Sequence, residues 1–111
     1  MSNTLEVFKG EAQESITITN IDSVGAAVDL SWATFANANE TIIEVKDKPG
    51  GTILTTLSIT DIVSMGTTTS VVKGDKFYAL DNGSGYFCKM TARNSSGRVK
   101  ILTFYLEVAD V

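Results

Sequence analysis

The sequence predicts an all-β protein, an antiparallel sandwich of about seven to nine short strands in a single domain spanning residues 1–111. Three observations predict it. Apolar residues alternate with polar ones at a period of two in nearly every stretch, clusters of Gly, Asn and Asp interrupt them at short intervals, and a 3.6-residue helical rhythm is almost absent. A sandwich is preferred over a barrel because several strands carry one polar face, as two sheets packed over a shared core require. A chain of 111 residues is long enough to bury one such core and too short for two.

The centre of the predicted sheet is a hairpin in the last third of the chain. Tyr86, Cys88, Met90 and Ala92 share one face of its first strand, with Phe87, Lys89, Thr91 and Arg93 opposite. Its second strand places Leu102, Phe104, Leu106 and Val108 on one face and Val99, Ile101, Thr103, Tyr105 and Glu107 on the other, and both faces are expected to be at least half covered. Asn94-Ser95-Ser96-Gly97 joins the two, because Asn and Gly tolerate positive φ and the hydroxyls satisfy turn backbone.

Taken in order, Thr4 to Phe8 alternates through Leu5 and Val7 and ends at a bend, Lys9-Gly10-Glu11. Glu14 to Thr19 is a strand with Ile16 and Ile18 inward, followed by turn residues Asp22, Ser23 and Gly25. Ala27 to Trp32 resumes the alternation with Val28, Leu30 and Trp32 in phase, so Trp32 is expected inside as a core anchor. A buried Trp removes ~150–250 Å² from water, worth about 4–6 kcal/mol before entropy is subtracted. Residues 34–40 mix Ala with Asn and read as a loop with room for one helical turn. Thr41 to Lys46 and Thr52 to Ile59 form a second hairpin around Asp47-Lys48-Pro49-Gly50-Gly51, with Ile43 and Val45 on one face of the first strand and Ile53, Leu57 and Ile59 on one face of the second. Asp61 to Gly66 reads as a connection whose Ile62, Val63 and Met65 cap the core, and Thr67 to Lys73 as a further β-branched strand. Phe77-Tyr78 either extends a strand or packs a loop, and Asp81-Asn82-Gly83-Ser84-Gly85 is a turn back to the hairpin.

Composition excludes several kinds of chemistry. The chain has no histidine, which removes Ser-His-Asp and Cys-His nucleophile arrangements and the commonest zinc ligand together. Its thirteen acidic residues are scattered singly, as solvated surface charge is, rather than paired for acid–base work. Asp81-Asn82-Gly83-Ser84 lacks the alternating acidic positions of a calcium loop, and neither Gly50-Gly51 nor Gly83-Ser84-Gly85 carries the Gly-Lys-Ser/Thr ending of a phosphate loop. No enzyme activity, cofactor or metal is expected. A net charge of −4 without a basic run argues against nucleic acid, and no apolar run approaches the ~20 residues that cross a bilayer. Nothing at Met1-Ser2-Asn3-Thr4 resembles a secretion signal, so synthesis in the cytosol is expected. The single cysteine, Cys88, lies on an apolar strand face and reads as a small buried hydrophobe rather than a nucleophile. The acceptor patterns Asn39-Glu40-Thr41, Asn82-Gly83-Ser84 and Asn94-Ser95-Ser96 are accidents of a Ser- and Thr-rich chain, and the row Thr67, Thr68, Thr69 reads as a solvated strand face.

Three segments together carry a resemblance. They are Phe8-Lys9-Gly10-Glu11 with Ser15-Ile16-Thr17-Ile18; Val28-Asp29-Leu30-Ser31-Trp32-Ala33 leading to Ile43-Glu44-Val45-Lys46-Asp47-Lys48-Pro49-Gly50-Gly51-Thr52-Ile53-Leu54; and Gly85-Tyr86-Phe87-Cys88-Lys89-Met90 through Ser96-Gly97-Arg98-Val99 to Phe104. In this order they resemble the small immunoglobulin-like domains of tailed-bacteriophage virion proteins, especially the N-terminal domain of baseplate upper proteins. The Cys…Trp…Cys pattern of antibody domains is missing, so the likeness is one of architecture. The resemblance implies an immunoglobulin-like β-sandwich and a structural role in a virion, made in the host cytoplasm, contacting other virion structural proteins or copies of itself as a homo-oligomer. Baseplate upper proteins usually continue beyond this domain, whereas this chain stops after its last strand, which suits an accessory, connecting or decorating component of a tail, baseplate or head. Edge strands are the expected contact surfaces, with Thr4, Leu5, Val7, Phe8, Ala109 and Val111 as candidate interface residues. The rival expectation is a carbohydrate-binding or adhesion module, which would place Trp or Tyr on an exposed face or at loop tips.

Overall fold

The computed structural model describes residues 4–8, 15–35, 40–58, 61–72, 80 and 83–109. Among them are eight strands and no helix: β1 (Thr4–Phe8), β2 (Ser15–Thr19), β3 (Ile42–Lys46), β4 (Ile53–Leu57), β5 (Ile62–Met65), β6 (Thr68–Val72), β7 (Gly83–Arg93) and β8 (Val99–Ala109). They form a five-stranded sheet in the order β1-β8-β7-β3-β4 and a three-stranded sheet in the order β2-β6-β5. All pairings are antiparallel except β1 with β8, which run parallel from Thr4↔Tyr105 to Phe8↔Ala109.

The two-residue rhythm of β7 and β8 builds the core as the sequence predicts. Cys88 pairs with Phe104, Met90 with Leu102 and Tyr86 with Leu106; of these, all but the half-buried Tyr86 are buried. Ile43 and Val45 of β3 and Leu57 of β4 continue that inner face, and Ile16, Ile18, Val71 and Ile62 close it from the other sheet. Where the sheets meet, Ile16, Ile18, Cys88 and Phe104 border a void of about 10 Å³, no larger than a single water needs. The β7–β8 turn forms as expected: Gly97 takes φ 88°, and the Asn94 Oδ1 accepts from the backbone N–H of Ser96 at 3.1 Å and Arg98 at 3.0 Å. At the second hairpin Gly50 takes φ 74°, and the Asp47 carboxylate accepts from the Thr52 N–H at 2.9 Å.

The structure departs from the sequence reading at six places. Ala27 to Trp32 is not a strand. Ala27 makes a single bridge to Ile21, after which the Asp29 carboxylate accepts from the Ser31 N–H at 3.0 Å and the chain turns. That turn breaks the two-residue phase, so Leu30 is fully buried while Trp32 is only half-buried at the rim of the core. In β4, Lys46 pairs with Ile53 and Val45 with Thr55, so Leu54 is an inserted residue; the bulge turns Ile53 outward, 48% exposed, while Leu57 stays inside. Residues 62–65, expected as a connection, pair as β5 with β6. Gly83 to Gly85, expected as a turn, belong to β7, with a register shift between Gly83 and Tyr86 where Gly85 takes φ 90°. Thr69 is buried rather than in a solvated row, and Val99 and Ile101 are about half exposed rather than covered. Lys9-Gly10-Glu11, Ile59, Phe77-Tyr78, Asp81-Asn82 and Val111 lie outside the described residues.

Thr69 is inside because of Asn20, a buried side chain at the end of β2. Its Nδ2 donates to the Gly66 carbonyl at 2.8 Å and its Oδ1 accepts from the Thr69 hydroxyl at 2.9 Å. Its backbone N–H donates to the Thr67 carbonyl at 3.0 Å, and its own carbonyl accepts from the Val28 N–H at 2.9 Å. Asn20 thus ties β2, the 21–32 segment and the β5–β6 turn together, with every polar group partnered. Asn20→Ala removes two buried hydrogen bonds, leaving the Gly66 carbonyl with the Leu30 N–H at 2.9 Å and the Thr69 hydroxyl with only the Met90 sulfur at 3.7 Å, at a cost of about 1–3 kcal/mol. The expected result is a urea midpoint lower by roughly 1 M at unchanged slope.

Candidate interaction surface

Because the inner faces of β7, β8 and β3 are spent on the core, their alternate residues make a continuous outer face. The register sets Ile101, Thr91 and Ile42 in one row, Thr103, Lys89 and Glu44 in the next, and Tyr105, Phe87 and Lys46 in a third that ends on Ile53. Phe87 and Tyr105 meet edge to face, with ring centroids 5.7 Å apart at 68°, a favourable geometry for aromatic pairs. Lys89 lies across from Glu44, an opposite-charge cross-strand pair. Along this sheet Val99 and Ile101 of β8 and Ile53 and Leu54 of β4 are 44–52% exposed.

Of the residues expected at an interface, Thr4, Leu5, Val7 and Phe8 lie on β1, the outermost strand of the five-stranded sheet on that side, and Ala109 pairs with Phe8 beside it. The opposite border is β4 with its bulge.

Beyond the hairpin end of β8 the surface folds into a groove. Val28, Asp29 and Trp32 stand on one side, Arg98, Val99 and Lys100 on the other, around a volume of about 310 Å³. The Arg98 guanidinium lies over the Trp32 ring, 4.2 Å from its centroid, a cation–π contact. Lys100 also borders a second hollow of about 140 Å³ against Ile21, Asp22 and Ser23. The Asp22 carboxylate is held below the usual carboxylate range, first by the Ala26 N–H it accepts at 2.9 Å and further by the Val24 N–H and the Lys100 charge. Nothing in the sequence pairs Trp32 with Arg98, since the contact depends on the turn at Asp29 and on the length of the β7–β8 hairpin.

Polar groups where the end of β7 meets Thr34, Glu40 and Thr41 are structural. The Thr41 hydroxyl accepts from the Arg93 N–H at 3.1 Å and lies 3.3 Å from the Arg93 carbonyl, while the Arg93 guanidinium donates to the Glu40 carbonyl at 3.3 Å. The Thr34 hydroxyl donates to the Glu40 carboxylate. Among the described residues no three His, Cys, Asp or Glu side chains gather as metal ligands would. No family model, no curated protein and no solved structure matches this chain.

Cys88 sits on the inner face of β7, 1% exposed, and burial pushes its thiol up to about 12. It should react with a thiol reagent only after unfolding, and fast labelling of native protein would reverse the face assignment of β7. An unfolded thiol ionises near 9.0 whereas the folded one holds its proton to about 12. The contribution is therefore intact below the unfolded value and lost as pH rises between the two. Urea midpoints at alkaline pH should fall more steeply in the wild type than in Cys88→Ala.

Proposed function

We propose that this chain is a non-enzymatic structural module of a bacteriophage virion, a tail, baseplate or head accessory that works by protein–protein contact. The observation that carries the reading is the outer face of the five-stranded sheet, where the Phe87–Tyr105 pair lies in a row that ends on the half-exposed Ile53, and Ile101 and Val99 are half exposed farther along β8. Half-exposed apolar side chains on one sheet face, with an aromatic pair and charges interspersed, have the composition of a contact surface. The order β1-β8-β7-β3-β4 facing β2-β6-β5 is a two-sheet sandwich compatible with the immunoglobulin-like comparison, while the virion assignment rests on the sequence resemblance alone. The buried polar side chains Asn20, Thr41 and Thr69 are engaged in structural hydrogen bonds, which suits a scaffold. Homo-oligomerisation, or assembly with larger virion proteins, follows from such a face.

A second reading, glycan binding, is favoured by one observation: Trp32 stands at the rim of a groove near a hairpin tip rather than inside the core.

Sedimentation equilibrium tests the assembly reading. The wild type should self-associate, and Ile101→Asp should shift it to monomer without changing its β-type circular dichroism, because Ile101 is half exposed. A wild type that stays monomeric at every concentration, or an Ile101→Asp variant that associates equally well, contradicts it.

A further inference from the structure

We propose that the groove between the 27–32 segment and the start of β8 binds a saccharide bearing a carboxylate. The inference rests on the glycan reading, and the groove shares only Val99 with the sheet face of the assembly reading.

Its basis is a set of exposed charged groups beside the apolar surface of Val28, Trp32 and Val99. Among the described residues no hydrogen bond or ion pair reaches the Arg98 guanidinium, whose one partner is the Trp32 ring at 4.2 Å. The stack holds the guanidinium in place at little entropic cost while its N–H donors stay available for a planar carboxylate, the group a guanidinium fork matches. Lys100, two residues along, borders the same groove as a second cation, its charge shared with Asp22 in the neighbouring hollow. On the facing side, one Asp29 oxygen accepts from the Ser31 N–H at 3.0 Å, which orients the carboxylate and leaves its other oxygen for a hydroxyl donor. Val28, Trp32 and Val99 supply apolar surface for the C–H face of a sugar ring.

Charge balance selects the ligand class. Two cations alone would suit any anion, whereas Asp29 on the opposite wall adds an acceptor and so rewards an anionic ligand that also carries hydroxyl donors. A peptide that binds by adding a strand would need an open strand edge, and Arg98 precedes the first residue of β8. The volume of about 310 Å³ falls at the lower end of the range for small-ligand sites.

Trp32 is the only tryptophan in the chain, so its emission reports the groove directly. The full chain is titrated with tetragalacturonate, with neutral maltotetraose and tetraglutamate as comparators. Tetragalacturonate should change Trp32 emission saturably, and both comparators should bind at least about tenfold more weakly, a difference of ~1.4 kcal/mol. Arg98→Gln should weaken tetragalacturonate about tenfold at an unchanged urea midpoint, since the Arg98 side chain is exposed and its backbone bond to Asn94 is retained. Should Arg98→Gln lower the urea midpoint, Lys100→Gln takes its place, with the same weakening expected. No saturable response to any of the three ligands overturns the site and the glycan reading with it. Equal response to maltotetraose, or indifference to both substitutions, overturns the carboxylate assignment and leaves the glycan reading standing. Equal response to tetraglutamate overturns the saccharide assignment.

Discussion

The structure depends on the burial of one row of side chains, the inward face of β7 and β8, against the opposing sheet. Met90 and Leu106 are sealed from solvent together with Ile43 from the same sheet and Ile18 and Val71 from the other. Each such side chain contributes about 1.5–3 kcal/mol on burial, set against roughly 1–2 kcal/mol per residue of lost backbone freedom. Only a closely packed double layer makes that balance favourable. Strand geometry then determines the rest: once alternate residues are committed to the core, the residues between them must form the outer face, and the exposed apolar surface there is a consequence of the same alternation.

That alternation was legible in the sequence wherever it ran unbroken. The faces of β2, β3, β7 and β8, the Pro-Gly reversal and the Asn-Gly turn follow from residue type and spacing alone. The inserted Leu54 was not legible, because nothing in Ile53-Leu54-Thr55-Thr56 marks an extra residue and only the register against Lys46 reveals it. Asn20 reads as a turn residue because Asn is common in turns, whereas its buried role needs the Thr69 hydroxyl and the Gly66 carbonyl, both distant in sequence. Trp32 was misplaced for a related reason: the pattern of Val28, Leu30 and Trp32 continues past the point where the Asp29 carboxylate has turned the backbone.

The candidate surfaces share β8. Its outward residues Val99 and Ile101 front the sheet face, while Lys100, with Arg98 just before the strand, borders the groove. A partner seated high on the face would therefore approach the groove, and a bound ligand would lie against the border of that contact. Strand phase names the residues of the face but not their exposure, which was expected to be lower, and the groove depends on the 27–32 turn, which strand phase misread. The strand that carries both surfaces is also a principal contributor to the core, so neither can move without disturbing the packing that defines the fold.

The central claim is that the β7–β8 pair, with β3 alongside, is the most stable unit and carries everything displayed on it. Native-state amide hydrogen exchange across the chain tests this most directly. The amides of Cys88, Met90, Leu102 and Phe104 should be the last to exchange, at rates set by global unfolding. Slower exchange in β2 and β6 than in β7 and β8, or early exchange at Met90, would contradict it.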